Sequence, residues 1–148
     1  MSHQYIVFEL GSKFFAIDIS RVIEIIKMQE IFKVPNTHPC IKGLINLRGK
    51  VFTLLDIKSK LDLTSRTSPE EDLKIILVNI NQNYFGIIAD SVDEIVGVNS
   101  SKIQTVPDTD PFANREYLEN MFNTDDNSIY LLNLGVLINS LKEKNSLK

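Results

Sequence analysis

The amino-terminal part of the chain alternates short apolar runs with turn residues, a pattern typical of antiparallel strands. The runs YIVFEL at 5–10 and KFFAI at 13–17 are separated only by Gly11 and Ser12. Two β-rich runs joined in this way indicate a hairpin, because glycine adopts the backbone angles that a tight turn requires. The pattern therefore predicts a two-stranded β-hairpin at this end of the chain.

The apolar spacing after this hairpin fits either a helix or a strand. The similarity of this stretch to residues 90–98 favours a turn over residues 18–21 and then a strand from Val22 to Ile26. In a regular strand Val22, Glu24 and Ile26 would share one face, and the two isoleucines between them would share the other.

The stretch IKGLINLRGKVFTLLDI at 41–57 contains two apolar runs on either side of an Arg48-Gly49 step. It predicts two strands joined at a tight turn, and Asp56 is placed to cap a short helix after the second strand. Arg48 is unusual here, because a guanidinium keeps its charge in a protein and is costly to bury. It must therefore reach solvent, pair with a carboxylate or contact a partner.

The second half of the chain repeats this alternation of runs and turns. The runs at 73–80 and 84–88 predict a second hairpin, and residues 90–98 predict another turn and strand. Residues 107–128 are rich in polar residues and proline, so they predict irregular structure. A final strand and a helix capped by Asn133 follow.

The two halves are related by an internal repeat. Because the matches preserve a charged position as well as the apolar alternation, shared composition does not explain them. We interpret residues 1–148 as a single domain of two similar units, 5–66 and 73–141, separated by a polar window at 64–72, and we leave open an exchange of strands between the units. A shift of 70 positions places Val22, Glu24 and Ile25 on Val92, Glu94 and Ile95.

Units of this size bury little apolar surface alone, so we expect them to close into small β-barrels that bury their apolar faces against one another. A groove between two such barrels would collect apolar side chains from both of them. Such grooves are favoured sites for partners. The repeat therefore predicts a binding groove between the units.

Composition places the chain among ordinary globular proteins. Apolar residues make up 43% of the 148 residues, charged residues make up 24%, and the net charge is −3. This mild acidity argues against nucleic acid or anionic lipid as a partner. The chain has a single cysteine, so we expect no internal disulfide. It shows no apolar run long enough to span a bilayer and no secretory signal, so we predict a cytoplasmic protein.

Few residues could carry chemistry. Cys40 lies two positions after His38, but no third group completes a nucleophilic site, and these residues form no metal-ligand set. The sequence therefore predicts no enzyme, no cofactor and no metal site. The main alternative is a small barrel that binds single-stranded nucleic acid through Lys13, Phe14 and Phe15, and a weaker one is an enzyme built on Cys40.

With the repeat and the Arg48 turn in place, the sequence resembles the CheW family of chemotaxis coupling proteins. The core Gly-x-x-Asn-x-Arg-Gly, from Gly43 to Gly49, is the most specific element of the resemblance. Departures are local: Thr53 stands where the family usually has proline, and Asn133 stands where it has aspartate. The matching segments are FELGSKFFAIDISRVIEII at 8–26, Val34-Pro35, KGLINLRGKV at 42–51, Leu55-Asp56, FGI at 85–87 and DSVDEI at 90–95.

The resemblance implies a mainly β fold of two five-stranded barrels packed around a shared apolar interior, with short helices and a C-terminal helix. It also implies a non-catalytic adaptor role. The partners would be the helical tip of a chemoreceptor and the regulatory domain of the CheA kinase, in membrane-associated arrays but without membrane insertion. We further expect Glu24 and Arg48 to pair across adjacent strands at the edge of the groove. The implied receptor-binding residues are Val22, Glu24, Gly43, Arg48, Ile75 and Ile95, and the implied kinase-binding residues are Met28, Ile31 and Phe32.

Overall fold

The computed structural model describes residues 2–35, 38–61, 63 and 69–146 of the chain. Residues 64–68 of the predicted boundary window lie outside these ranges. The described part contains two α-helices, α1 (Ile57–Lys60) and α2 (Leu134–Ser146). The strands are β1 (Ser2–Leu10), β2 (Lys13–Asp18), β3 (Val22–Lys27), β4 (Ile41–Leu47), β5 (Lys50–Leu55), β6 (Lys74–Ile80), β7 (Asn83–Ala89), β8 (Ser91–Asn99), β9 (Gln104–Thr105), β10 (Asn120–Asn123) and β11 (Ser128–Leu131).

Strand pairing divides these elements into two sheets. Sheet A has the order β8-β1-β2-β11-β10-β9, and sheet B has the order β3-β6-β7-β5-β4. The predicted mainly β class is confirmed, although sheet A has six strands rather than five. The difference comes from the two-residue strand β9, in which Thr105 pairs with Asn120 of β10.

Each sheet contains strands from both halves of the sequence. Sheet A takes β1 and β2 from the first half and β8 to β11 from the second. Sheet B consists of β3 to β7, which form one continuous segment, residues 22–89. The chain therefore leaves sheet A after β2, builds all of sheet B, and then returns to complete sheet A. The repeat units 5–66 and 73–141 describe the sequence similarity rather than the sheets.

A buried ion pair lies where the chain returns to sheet A. Asp90, between β7 and β8, accepts a hydrogen bond from Gly11 N at 2.7 Å and one from Lys58 Nζ at 2.9 Å. Its own amide donates to the Glu9 carbonyl at 2.9 Å. The Asp90 side chain is fully buried, and that of Lys58 is 19% exposed. Asp90 thus ties the β1–β2 hairpin of sheet A to α1, which follows strand β5 of sheet B.

The alternation of side chains along the strands separates three apolar clusters. Along β1, Tyr5 and Val7 join a cluster within sheet A, whereas the residues that alternate with them join the largest cluster. These are Ile6, Phe8 and Leu10. Along β6, Ile75 and Leu77 join a cluster within sheet B, whereas the residues that alternate with them join the same largest cluster. These are Ile76, Val78 and Ile80. This largest cluster, here called the inter-sheet layer, takes side chains from both sheets. It corresponds to the shared apolar interior that the resemblance implies.

The edge strands β3 and β8 each contain a β-bulge at the same position of the repeat. In both strands the residue between the valine and the glutamate is the extra one. The shift of 70 positions therefore holds for strand pairing as well as for sequence. The pairs that flank the bulges are Val22–Val78 and Glu24–Leu77 in sheet B, and Val92–Phe8 and Glu94–Val7 in sheet A.

The bulge changes the faces of β3. Val78 and Leu77 point to opposite sides of β6, so their partners Val22 and Glu24 also lie on opposite faces. Val22 packs against the inter-sheet layer, whereas Ile26 packs against the cluster within sheet B. The prediction that Val22, Glu24 and Ile26 share one face is wrong, because one extra residue reverses the alternation.

Both predicted helix caps are present. The Asp56 carboxylate accepts a hydrogen bond from Lys58 N at 3.2 Å, and the Asn133 side chain accepts one from Val136 N at 3.1 Å. Residues 107–128, predicted to be irregular, contain the strand β10 and a 3-10 turn. The apolar stripe of α2 packs into the inter-sheet layer through Leu134, Leu137, Ile138 and Leu141.

Candidate protein-docking surface

Glu24 and Arg48 form a two-point ion pair at one end of sheet B. Arg48 Nη2 donates to Glu24 Oε2 at 3.2 Å, and Arg48 Nη1 donates to Glu24 Oε1. The predicted pair is confirmed, but its strands are not adjacent. Glu24 lies on β3 and Arg48 lies in the β4–β5 turn, and β3 and β4 are the two edges of sheet B. The pair therefore connects the first and last strands of the sheet.

The β4–β5 turn holds the guanidinium in this position. Arg48 has a φ of +54° and Gly49 a φ of +82°, so both residues occupy the left-handed region that a tight hairpin turn requires. The hydrogen bond from Arg48 lowers the pKa of Glu24, which keeps the carboxylate ionised. The Arg48 side chain is 71% exposed and that of Glu24 is 30% exposed. A partner could therefore reach the outer face of the guanidinium without breaking the pair.

Gly43 allows a second contact between the two edges of sheet B, in which the segment after β3 packs on β4. Its φ is +152°, and a Cβ atom at this position would lie 2.5 Å from Ile31 Cγ2 and 2.7 Å from the Phe32 carbonyl oxygen. Phe32 and the next strand residue, Leu44, exchange two backbone hydrogen bonds of 2.8 Å. The glycine therefore accommodates the segment after β3 from the same chain. It is buried, so its direct contact with a receptor stays a prediction.

Apolar side chains on β3 and β8 extend the inter-sheet layer to the surface. Ile95 pairs with Ile6 and is 57% exposed, and Ile25 pairs with Ile76 and is 40% exposed. Paired residues on antiparallel strands share a face, and both Ile6 and Ile76 belong to the inter-sheet layer. Ile25 and Ile95 therefore lie on the faces that the two sheets turn toward each other.

Two valines lie at the margin of the same layer. Val22 and Val92 are half-buried and pack against it, one from each sheet. Together with Ile25 and Ile95 they form what is here called the groove rim. These four residues are two copies of one Val-x-x-Ile pattern, related by the 70-residue repeat. The predicted residues Val22 and Ile95 thus flank the layer from opposite sheets.

Ile75 lies away from this surface. Its side chain is fully buried in the cluster within sheet B, where it pairs with Ile26 of β3. Ile25 is not among the predicted receptor-binding residues, although the repeat aligns it with Ile95, which is. The signal was therefore available, but the regular-strand interpretation of β3 placed Ile25 on the wrong face.

The residues predicted to contact a kinase follow β3. Met28 and Ile31 are half-buried against the cluster within sheet B, whereas Phe32 is 56% exposed. Met28 and Ile31 also line a cleft of about 610 Å³ together with Lys42 and Glu71. Met28 and Ile31 thus fix the segment to the cluster within sheet B, and Phe32 exposes an aromatic ring, which suits a contact with another protein.

The residues considered for catalysis do not form a reactive site. Cys40 is 1% exposed, and burial raises its pKa to about 11, so the thiol is protonated at neutral pH. The His38 Nδ1 atom accepts a hydrogen bond from Cys40 N at 3.0 Å. Across the part of the chain that the structure describes, no three His, Cys, Asp or Glu side chains are grouped to hold a metal ion. The geometry does not favour the enzyme alternative.

The nucleic-acid alternative has little surface to use. Phe15 is fully buried in the inter-sheet layer and Phe14 is half-buried, so neither presents an open ring face beside Lys13. A stacking platform requires exposed aromatic rings. The cluster that motivated this alternative is therefore mainly core.

Comparison with known sequences decides the family. Residues 4–142 match the CheW-like domain family. The chain belongs to the CheW-like family. The match includes both sheets, the groove rim and the Glu24–Arg48 pair. No helix in the described residues of this CheW-like protein is long and apolar enough to cross a membrane.

Individual relatives agree with this assignment. The CheW-like chain is 26% identical to the chemotaxis protein CheW of Klebsiella aerogenes over 140 residues, 95% of this chain and 84% of that protein. It is 33% identical to CheW of Bacillus subtilis over 103 residues, 70% of this chain and 65% of that protein. It also resembles the crystal structure of the scaffolding protein TtCheW from Thermoanaerobacter tengcongensis. That similarity has a TM-score of 0.81 and 31% identity, and it covers 90% of this chain and 86% of TtCheW.

Proposed function

We propose that this protein is a cytoplasmic chemotaxis adaptor that couples the helical tips of chemoreceptors to the histidine kinase CheA. It would be recruited to membrane-associated receptor arrays through its partners and support kinase activation there. The role is non-catalytic and needs no cofactor. The relatives named CheW support the pathway, and the groove rim is the observation that carries the mode of binding.

The groove rim suits an amphipathic helix. Ile25 and Ile95 expose apolar surface on the faces of β3 and β8 that are turned toward the inter-sheet layer, and Val22 and Val92 pack against that layer. A helix laid along this rim would bury its own apolar stripe against residues from both sheets. Because the rim valines pack against the inter-sheet layer, they are already held in place and lose little conformational freedom on binding.

The Glu24–Arg48 pair would shape one wall of the receptor site. It fixes β3 to the β4–β5 turn, and the exposed guanidinium can donate hydrogen bonds to carbonyl or carboxylate groups of a helical tip. Gly43 contributes by letting the segment after β3 pack closely on β4. Ile75 supports β3 from inside the sheet rather than touching the receptor.

The segment after β3 would contact the kinase. Phe32 is the exposed anchor, and Met28 and Ile31 hold it from the cluster within sheet B. Met28, Ile31 and Phe32 follow β3 and are not members of the groove rim. The adaptor would hold a receptor at the rim and a kinase at this segment.

Matched substitutions test the receptor site. Ile95→Asp places a charge on the groove rim and should weaken binding to a receptor cytoplasmic fragment about tenfold or more in co-sedimentation. Val51→Asp is the control, because Val51 is also an exposed apolar strand residue, at 52% against 57%, but lies outside the rim. Equal binding by both variants would contradict the receptor assignment.

The kinase contact is tested with the same complex. Phe32→Ser should reduce capture of CheA and receptor-stimulated phosphorylation, while receptor binding stays at the wild-type level. Ile95→Asp should show the opposite pattern. A wild-type protein that neither enters the ternary complex nor raises kinase output would overturn the adaptor function.

A further inference from the structure

Residues 87–95 connect the two walls of the groove rim, β3 and β8. At the start of this segment, Ile87 pairs with Ile76, which in turn pairs with Ile25 of the β3 wall. At its end lies Ile95 of the β8 wall. One short stretch of chain therefore runs from the sheet that carries one wall to the other wall, and its path determines how far apart the walls lie.

Asp90 lies in the middle of this stretch, where the chain passes from sheet B to sheet A. It is the residue between β7 and β8. Its fully buried carboxylate accepts hydrogen bonds from Gly11 N at 2.7 Å and from Lys58 Nζ at 2.9 Å. Gly11 belongs to the β1–β2 turn of sheet A, and Lys58 belongs to α1, which follows β5 of sheet B. The crossover is thus bound to one element from each sheet.

The β1–β2 turn also packs directly on the segment that carries Lys58. Gly11 has a φ of +54°, and a Cβ atom there would lie 2.9 Å from Leu63 Cβ. Leu63 N donates to the Lys58 carbonyl at 3.0 Å, which holds this segment against α1. Apolar and polar contacts between the two sheets therefore meet at the same place, around the Asp90 carboxylate.

The first crossover, from sheet A to sheet B, is built differently. Asp18 ends β2 and accepts a hydrogen bond from Ser20 N at 2.9 Å, within the 3-10 turn that leads into β3. Asp18 is exposed and its bond reaches two positions along the chain, whereas Asp90 is buried and its bonds reach 79 and 32 positions. The long-range polar contacts thus occur at the crossover that begins the β8 wall.

We infer that Asp90 and Lys58 are positioning residues for the receptor site. Their ion pair fixes the direction in which β8 leaves sheet B, and thereby the separation of the two walls of the groove rim. Apolar packing between the sheets is non-directional, whereas a buried ion pair has all its hydrogen bonds in one arrangement. Asp90 is fully buried and Lys58 is 19% exposed, so both act through the rim residues. The inference rests on the proposed receptor site and adds residues beyond those that touch the receptor.

The double variant Asp90→Ala/Lys58→Met separates positioning from stability. Removing both charges should restore part of the stability that Asp90→Ala loses. It does not restore the bonds that orient β8, so affinity for a receptor cytoplasmic fragment should stay about fivefold below the wild type. Lys58→Met alone should weaken receptor binding similarly, and Lys58→Arg, which keeps a cationic donor for Asp90, should bind like the wild type. Capture of CheA through Phe32 should be unchanged in all three variants.

Distances between spin labels test the geometry without a receptor. Ile23 and Asp93 are the exposed bulge residues of β3 and β8, so labels on Ile23→Cys and Asp93→Cys report the separation of the walls. The native Cys40 is 1% exposed and stays unlabelled. In Lys58→Met and in the double variant, the distance between the labels should shift or broaden by about 2 Å. In Lys58→Arg it should match the wild type.

Phe122→Leu is the control for lost stability, because Phe122 is 3% exposed and lies in the cluster within sheet A. It should lower the melting temperature and leave the label distance and receptor affinity unchanged. The positioning role is overturned if the double variant regains wild-type affinity together with stability, or if its label distance matches the wild type. A wild-type protein without receptor affinity would instead overturn the receptor site, and the label distances would still decide the positioning role.

Discussion

Glu24 and Arg48 form an ion pair between the two edges of sheet B, although three strands separate β3 from β4 in the strand order. Phe32 strengthens the same closure by exchanging two backbone hydrogen bonds with Leu44. One side-chain pair and one backbone bridge thus close the sheet, and the first of them is accessible to a partner. The groove rim and the Glu24–Arg48 pair share β3, so a change in the pair should affect the rim.

Removal of either member of the ion pair should destabilise the closure. We expect Arg48→Ala and Glu24→Ala each to lower the melting temperature by a few degrees, and the double variant to be no less stable than the weaker single variant. This non-additivity follows because both substitutions remove the same interaction. Thermal unfolding of the four proteins measures it. Arg48→Lys should be intermediate, since an ammonium cannot make the two parallel bonds.

The stabilisation by this pair should depend on pH in a defined direction. The pKa of Glu24 is lower in the folded protein than in the unfolded chain, so the contribution is fully present above the unfolded pKa. It is lost as the pH falls through the lower folded value. The stability difference between the wild type and Glu24→Gln should therefore be constant near neutral pH and shrink below about pH 4. A difference that grows on acidification would contradict this.

Gly43→Ala should be much more damaging than Gly49→Ala. At Gly43 a methyl group would clash with Ile31 and with the Phe32 carbonyl, in addition to the strain of a positive φ. We expect a loss of about 2–3 kcal/mol in the free energy of unfolding. Gly49 also has a positive φ, but nothing lies within 4 Å of the added atom, so about 1 kcal/mol is expected. Denaturant unfolding of both variants measures the difference, and equal losses would exclude the close contact as the cause.

The buried Asp90–Lys58 pair should be more important than its single salt bridge implies. Asp90→Ala leaves Lys58 partly buried without this partner and removes the acceptor for Gly11 N, so we expect a loss of about 3 kcal/mol or more. The double variant Asp90→Ala/Lys58→Met should recover part of that loss, because neither charge of this pair then remains. Denaturant titration of both proteins provides the measurement. A double variant less stable than Asp90→Ala alone would contradict the explanation.

Local patterns predicted most of the strands and both helix caps. The hairpins around Gly11 and around residues 81–83 follow from a period of two residues and from turn residues, which act within a few positions. These features depend on chemistry that a single segment reveals.

Features that depend on distant partners were not predictable. The bulge at Ile23 adds a residue without changing the composition of β3, so only its pairing with β6 reveals it. Strand β10 is only four residues long and has asparagine at both ends, so its sequence predicts a loop. Only its pairing with β11 shows that it is a strand. Ile75 begins a run of four apolar residues, 75–78, whose side chains are all buried, so no polar residue within the run marks an exposed side. The burial of Ile75 therefore follows from the packing of whole sheets.

The insertion of sheet B between the two parts of sheet A has a consequence for biosynthesis. Once residue 89 has left the ribosome, every strand of sheet B is available and can close on itself. Sheet A must wait for β11 near residue 131, and until then β2 lacks its parallel neighbour. The amino-terminal hairpin is thus the first part of the protein to be synthesised and belongs to the last sheet to be completed.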